Sequence, residues 1–303
     1  MKYSIKMENP ELYEFVLSFL AFTEKKNHAT LELGTEWIRS LTEELSPDFF
    51  VKIAASRKLF SGFPLVVVSK SPAQRPREFI KWLQDLSWSE LYEMLFLFTD
   101  NTPLTNPQDI KEWQELTCDM LNSWYELYFS KVEEEIMVHL TKESASIKLD
   151  RDPQEIVEVL SNGIRLDLLT ELRLVRLVPQ YHFRPYNMYD IGESEFILCY
   201  PSRVEASADE PPLELVRLTK ALADQSRLQI LKILSQGSHT FTEITEKMSI
   251  AKSTVHHHLV TLRTAGLVIV YLSPNRNDLF SLREEAVGGV SEQLWRYLKE
   301  GTQ

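Results

Sequence analysis

Cysteine is almost absent from this chain: 303 residues carry two, Cys118 and Cys199. So sparse a supply excludes a disulfide framework and fits a reducing compartment, with the cytoplasm as the expected location. The two thiols fall on different predicted elements with no basic neighbours to lower a thiol pKa, so they read as buried side chains and not as a redox pair. No stretch approaches the roughly 20 consecutive apolar residues a membrane helix requires, so no membrane partner is expected. The opening MKYSIKMENPELYEF has neither the apolar core nor the small-residue cleavage site of a secretory leader. A P-loop, a paired-glycine dinucleotide fingerprint and a His-Glu-x-x-His zinc helix are all missing. Only His28, His139 and His182 of the seven histidines precede residue 211, and none sits in a recognisable catalytic arrangement. With no catalytic residue, cofactor or metal set to nominate, an enzyme is not expected. Internal repeats and low-complexity tracts are missing too.

What is present is an ordinary globular composition, 44% hydrophobic and 25% charged. The length exceeds that of a lone domain of about 100 residues, so two domains are expected. The net charge of −11 is unevenly shared: from Pro211 onward there are 11 Lys/Arg against 9 Asp/Glu, and before it 22 against 35. The acidity belongs to the first two thirds, which leaves a mildly basic C-terminal part free to approach a polyanion with a marked salt dependence.

Residues 10 to 173 carry mostly helical periodicity. Leu12, Phe15, Val16, Phe19 and Leu20 form a three-four stripe, and similar patterns rich in Trp, Tyr and Phe run over 90–98 and 113–138. Ser46-Pro47, Ser61 to Pro64, Ser71-Pro72 and Asp100 to Pro103 punctuate them. Residues 174–181 and 195–200 read as strands around the Arg184-Pro185-Tyr186-Asn187 turn. The polar, Pro-bearing stretch 201–212 is the expected boundary. The fold class predicted is therefore mainly α with small β. A helical domain with a short β-hairpin or sheet, 1–205, serves dimerisation or takes an effector of unknown identity; a DNA-reading domain, 211–303, follows. The abundant aromatics suit either a packed core or the walls of a small-molecule pocket.

The C-terminal part parses as helix, short helix, tight turn, second helix and two-stranded ribbon. Leu222, Leu228, Ile230, Leu231, Ile233 and Leu234 mark the first helix, which Gly237 closes. Thr240 followed three residues on by Glu243 is a capping box that starts the short helix, whose buried stripe is Phe241, Ile244 and Met248. Ser249-Ile250-Ala251 is the turn. The second helix begins near Lys252 and runs to about residue 265, with Val255, Leu259 and Leu262 inward. Leu267 to Tyr271 and Leu279 to Leu282 form the ribbon, the wing spanning 268–282, with Arg276 at its tip. That order is a winged helix-turn-helix, whose second helix enters the major groove of double-stranded operator DNA.

At 100° per residue Ser253 and His257 point away from the buried stripe, with Thr254, His256 and Thr261 on its flanks. This outer face holds hydroxyls and imidazoles and no carboxylate, which suits contact with phosphates and base edges. Lys252, Ser253, Thr254, His256, His257, Thr261 and Arg276 are the candidate DNA-binding residues. Three successive histidines diverge on a helix and cannot converge on one metal ion. His258 lies nearer the buried stripe and reads as a packing residue, and Arg227 as a brace between helices. Ser161-Asn162-Gly163 and Asp167 read as loop and helix-surface features.

The run Ala223-Asp224-Gln225-Ser226-Arg227-Leu228-Gln229-Ile230-Leu231 resembles the opening helix of the ArsR-type (arsenic-repressor-like) winged-helix regulators. Residues 252–259, Lys-Ser-Thr-Val-His-His-His-Leu, followed by Leu262 to Val268, resemble their recognition helix. The resemblance covers about the last third of the chain. It implies a DNA-binding transcriptional regulator of the repressor kind. His256 stands where Ser is more usual in the family, which implies an altered base preference. Family members that sense metals use a Cys-x-Cys before the turn or Asp/His ligands on the last helix. Here 241–248 holds neither Cys nor His, and the last helix offers only Glu292 and Glu300, so metal sensing of that kind is not implied.

Two rival functions were weighed. A winged helix serving protein interaction would show apolar anchors on the outer face, and this one does not. An enzyme with an appended DNA-binding module would need catalytic machinery before residue 211. Val290, Leu294, Tyr297 and Leu298 give the last helix an apolar stripe with nothing local to cover it, which predicts a homodimer.

Overall fold

The computed structural model describes residues 3–25, 28–59, 64–96, 106–192, 194–203, 210–273 and 277–300. The chain divides into two compact units: Lys2–Lys148 with Leu172–Ser202, and Leu149–Glu171 with Arg203–Gln303.

The first unit holds β1 (Ser4–Met7), α1 (Pro10–Thr23), α2 (Gly34–Glu44), α3 (Pro47–Leu59), α4 (Leu65–Lys70), α5 (Pro76–Asp85), α6 (Trp88–Phe96), α7 (Pro107–Trp124), α8 (Ser130–Ser146), β3 (Leu174–Gln180), β4 (Met188–Ile191) and β5 (Glu195–Pro201). Its centre is α1. The apolar stripe predicts one buried face, yet all fourteen residues are buried, because α4, α5, α7, α8 and β3 pack around the helix. Glu11, Glu14 and Ser18, which this encloses, are bonded, as burial demands. Glu11 accepts from Arg75 at 3.1 Å. Ser18 donates to the Phe15 carbonyl and accepts from Trp124 Nε1 at 2.9 Å. Glu14 accepts from the amides of Tyr181 and His182 and from His182 Nδ1. One π turn, Tyr125–Phe129, joins α7 to α8 and carries Tyr128. The Tyr128 hydroxyl accepts from Trp37 Nε1 at 3.0 Å and stands 2.6 Å from His182 Nε2. Phe15 meets Phe129 edge-on, Phe19 meets Phe49 and Trp124 edge-on, and Phe22 lies tilted against Trp124, all within this core.

Of the hairpin or sheet expected here the structure has the sheet, and the first correction is to the hairpin alternative: residues on either side of the 184–187 turn do not pair as a hairpin. β3 and β5 pair in parallel, Leu174 opposite Glu195 through Gln180 opposite Pro201. The sheet order is β1-β3-β5-β4, with β1 parallel to β3 and only β4 antiparallel. The reason is legible in β5: Phe196-Ile197-Leu198-Cys199-Tyr200 is an unbroken apolar run, all of it buried, as in strands covered on both faces.

The second unit holds α9 (Pro153–Ser161), β2 (Ile164–Arg165), α10 (Leu213–Leu222), α11 (Gln225–Leu234), β6 (His239–Thr240), α12 (Phe241–Lys247), α13 (Lys252–Thr264), β7 (Val268–Tyr271), β8 (Leu279–Leu282), α14 (Glu284–Gly288) and α15 (Val290–Glu300). A second correction falls here. The expected split, 1–205 against 211–303, leaves out that α9 and β2 belong to this unit, where β2 pairs in parallel with β7. The sheet order is β2-β7-β8-β6. A third concerns the first helix of the motif. It is two helices, because the Asp224 carboxylate accepts the Arg227 amide at 2.9 Å and starts α11 anew. Leu228 on this helix is 50% exposed, not core. Arg227 is the brace expected of it: its guanidinium donates to the carbonyls of Ala221 and Lys220 at the end of α10. Both halves of the Thr240–Glu243 capping box are present.

Candidate nucleic-acid interface

Helix α13 is held by one side and open on the other. Val255, His258, Leu259 and Leu262 are buried. Lys252, Ser253, Thr254, His256 and His257 are exposed. No side chain caps the start of α13. Its first turn therefore offers amide donors and the positive end of the helix dipole beside the Lys252 ammonium, an arrangement suited to phosphate. His256 lies edge-on to Phe241 of α12, ring centroids 6.3 Å apart. The His257 and His258 rings are also 6.3 Å apart and tilted, and they diverge from one another in burial. His258 is the packing residue the sequence predicts, with Nδ1 4.0 Å from the Asp224 carboxylate. The Arg227 amide, and then the Arg227 charge, hold the Asp224 carboxyl below the usual range.

Two candidates stand apart from the rest. Thr261 is half-buried, and its hydroxyl donates to the His257 carbonyl at 2.9 Å, so only its oxygen lone pairs are open to another group. Arg276 lies outside the described residues. Among the described residues no group of three or more His, Cys, Asp or Glu side chains converges as a metal site. Both cysteines are free and buried, and burial pushes the Cys118 thiol up to about 12 and raises that of Cys199 as well. No described helix is long and apolar enough to cross a membrane.

The residues that hold the wing carry no sequence signal of that role. Asn162, in left-handed conformation, closes α9 and accepts from Arg283 at 3.2 Å. The Asn-Gly dipeptide signalled a turn; nothing in it signalled a partner more than a hundred residues away. In the first unit, Gln84, Leu86, Trp88, Lys111, Gln114, Glu115, Cys118, Asp119 and Asn122 line a cleft of about 420 Å³. Gln114 is buried at its floor, with Nε2 donating to the carbonyls of Leu83 and Leu86.

Comparison with known proteins bears on this second unit. The profile described as "Bacterial regulatory protein, arsR family" matches residues 224–270. An uncharacterized HTH-type transcriptional regulator of Bacillus subtilis (strain 168), YceK, is 38% identical over 71 residues, which span 23% of this chain and 70% of that protein. The chain belongs to the arsR family. It is a DNA-binding transcription regulator with a winged helix-turn-helix. Solved structures similar to parts of this arsR-family chain include an ArsR-like transcriptional regulator from Rhodococcus sp. RHA1, 22% identical over 29% of this chain and 82% of the other, at a TM-score of 0.26. The homodimeric winged helix-turn-helix DNA-binding domain Mb0332 from Mycobacterium bovis is 23% identical over 33% of this chain and 94% of its own, at 0.25.

Proposed function

We propose that this arsR-family protein is a cytoplasmic repressor that binds a two-fold operator as a homodimer and has no catalytic activity. The carrying observation is the two-sided burial of α13: Val255, Leu259 and Leu262 inward, and Lys252, Ser253, Thr254, His256 and His257 outward with no carboxylate among them. Lys252 and the open helix start position the protein on phosphate, while Ser253, Thr254, His256 and His257 read base edges. Thr261 contributes from the flank as an acceptor, and Arg276 is assigned to the phosphate backbone on its place in the sequence between the two wing strands. Two recognition helices related by a two-fold axis lie one helical turn apart, so the operator is an imperfect palindrome. The helical unit receives the signal: a small-molecule effector seats in the cleft over Gln114, beside the exposed Trp88 ring.

The test is fluorescence anisotropy of the full chain on the DNA upstream of its own coding region, against a scrambled duplex, across a salt series. Preferential binding that weakens steeply with salt is the expected result. Equal binding to both duplexes at every salt concentration overturns the reading of α13 as a sequence reader.

A further inference from the structure

The wing of this protein has a third strand that comes from far upstream of the DNA-reading motif. β7 would otherwise be an open edge of the β7–β8 hairpin, because β6 covers only the β8 side. The segment α9–β2 closes that edge. Val270 donates its amide to the Gly163 carbonyl at 2.7 Å, and Leu272 donates to the Arg165 carbonyl at 3.0 Å. Ile164 and Leu166 are buried at this junction together with Val268, Val270 and Leu272.

The approach is close enough to dictate residue types. Asn162 has φ +61°, a conformation Asn tolerates and most side chains do not. Gly163 has φ +118°, and a Cβ placed there would stand 2.6 Å from the Val268 carbonyl oxygen. Gly266, at the start of the wing, has φ +70°, and its missing Cβ leaves room for the Asn162 amide, whose oxygen would be 2.9 Å from it. That same Asn162 oxygen accepts from Arg283 at 3.2 Å, at the far end of the hairpin, where the Arg283 amide also donates to the Leu267 carbonyl. Glu158 of α9 stands 3.7 Å from Arg283 and 3.3 Å from Arg165, so one carboxylate faces both cations. The start of the wing, its end and the upstream segment thus meet at one side chain.

From this juxtaposition we infer that Asn162, Gly163 and Arg283 form a latch that holds the wing in register for DNA, and that they are positioning residues for binding although none of them reads a base. The segment leaves the helical unit after Lys148 and rejoins it at Leu172. The inference rests on the wing contributing to DNA binding.

The test uses the full chain and three variants: Asn162→Ala, which removes the shared acceptor, Gly163→Ala, which drives a Cβ into Val268, and Asn162→Asp, which keeps both the acceptor and the tolerance for positive φ. Amide hydrogen exchange at Val270 and Leu272 reports the latch, and exchange inside α13 reports whether the domain is folded. Asn162→Ala and Gly163→Ala are expected to speed exchange at the two wing amides while α13 stays protected. They should weaken binding to the upstream duplex and to scrambled DNA alike, by about tenfold, as loss of a positioning contact does. Asn162→Asp is expected to restore both. Should either alanine variant leave Val270 and Leu272 protected, or free them while affinity stays unchanged, the inference is overturned. A wild-type protein that binds neither duplex overturns the DNA reading itself and takes the latch's role with it. Wild-type binding that both alanine variants retain refutes the latch alone.

Discussion

His257 and Lys252 are both exposed on α13, and their chemistries separate two kinds of contact. An imidazole can discriminate among base-edge donors and acceptors, whereas the ammonium of Lys252, beside the uncapped helix start, is assigned to phosphate. His257→Ala should cost about 1 to 3 kcal/mol on the preferred duplex and narrow its advantage over scrambled DNA. Lys252→Ala should weaken both duplexes equally and flatten the salt slope by about one. Paired titrations in a salt series decide the matter, and a His257→Ala variant with unchanged preference would mean that another face of α13 meets the bases. At this scale the division of α13 into a buried and an exposed face was legible in the sequence, because helical geometry alone divides Val255, Leu259 and Leu262 from Ser253 and His257. Thr261 was only half legible. A threonine on the flank of a helix can turn its hydroxyl back onto its own backbone, and whether it does depends on its local surroundings.

Helix α4 begins after Pro64 with no cap from its own flanking side chains, and the missing acceptor comes from a strand. Asp190 of β4 accepts the Val66 amide at 3.1 Å. Burial pushes the Asp190 carboxyl up to about 6, against amide donors from Val66 and Leu65 that pull it down. The folded pKa therefore stands above the unfolded value of about 3.9. A raised folded pKa contributes stability that is complete below about pH 4 and is lost as pH rises through 6. Asp190→Asn keeps an acceptor and removes the charge, so it should stabilise the helical unit by about 1 to 2 kcal/mol at pH 7.5, with the advantage gone at pH 4. Tryptophan emission during urea unfolding measures this, because five of the six tryptophans lie at or before residue 124. A difference between wild type and variant that does not change with pH would refute the assignment. Elements defined by local signals were the legible ones: the capping box, the recognition helix and the wing strands all follow from residues a few positions apart. The short strands β1, β2 and β4 were not. Two to four residues carry too little alternation to be seen, and their partners are distant, Ile164 opposite Val270 being the extreme case. The start of α11 at Asp224 was a missed local signal, an N-cap aspartate standing in plain view before Gln225.

For the molecule as a whole, the exposed apolar surface of the second unit decides the assembly. Helix α15 packs on α10, and Val290 and Tyr297 are half-buried, so part of the predicted stripe is covered within the chain. Leu294, Trp295 and Leu298 remain 41%, 60% and 54% exposed, and Val287 of the preceding α14 is 40% exposed. Three large apolar side chains within five residues, on the last helix of a DNA reader, are what a symmetric pairing of two copies would bury. In a two-fold interface each side chain is used twice. Leu294 has only 41% of its surface left to cover, which contributes about 0.6 to 1.2 kcal/mol per copy, so removing it from both copies subtracts about 1.2 to 2.4 kcal/mol, one to two decades in the dimer constant. Leu294→Lys, which adds a like charge across the axis, should therefore sediment as a monomer at micromolar concentrations where wild type is a dimer. Its binding to a duplex with two half-sites should fall towards that of a duplex with one, while affinity for the single half-site stays the same, because Leu294 is remote in sequence from α13. A wild-type protein that sediments as a monomer at these concentrations, with and without operator DNA, would remove the dimer and with it the expectation of a palindromic site.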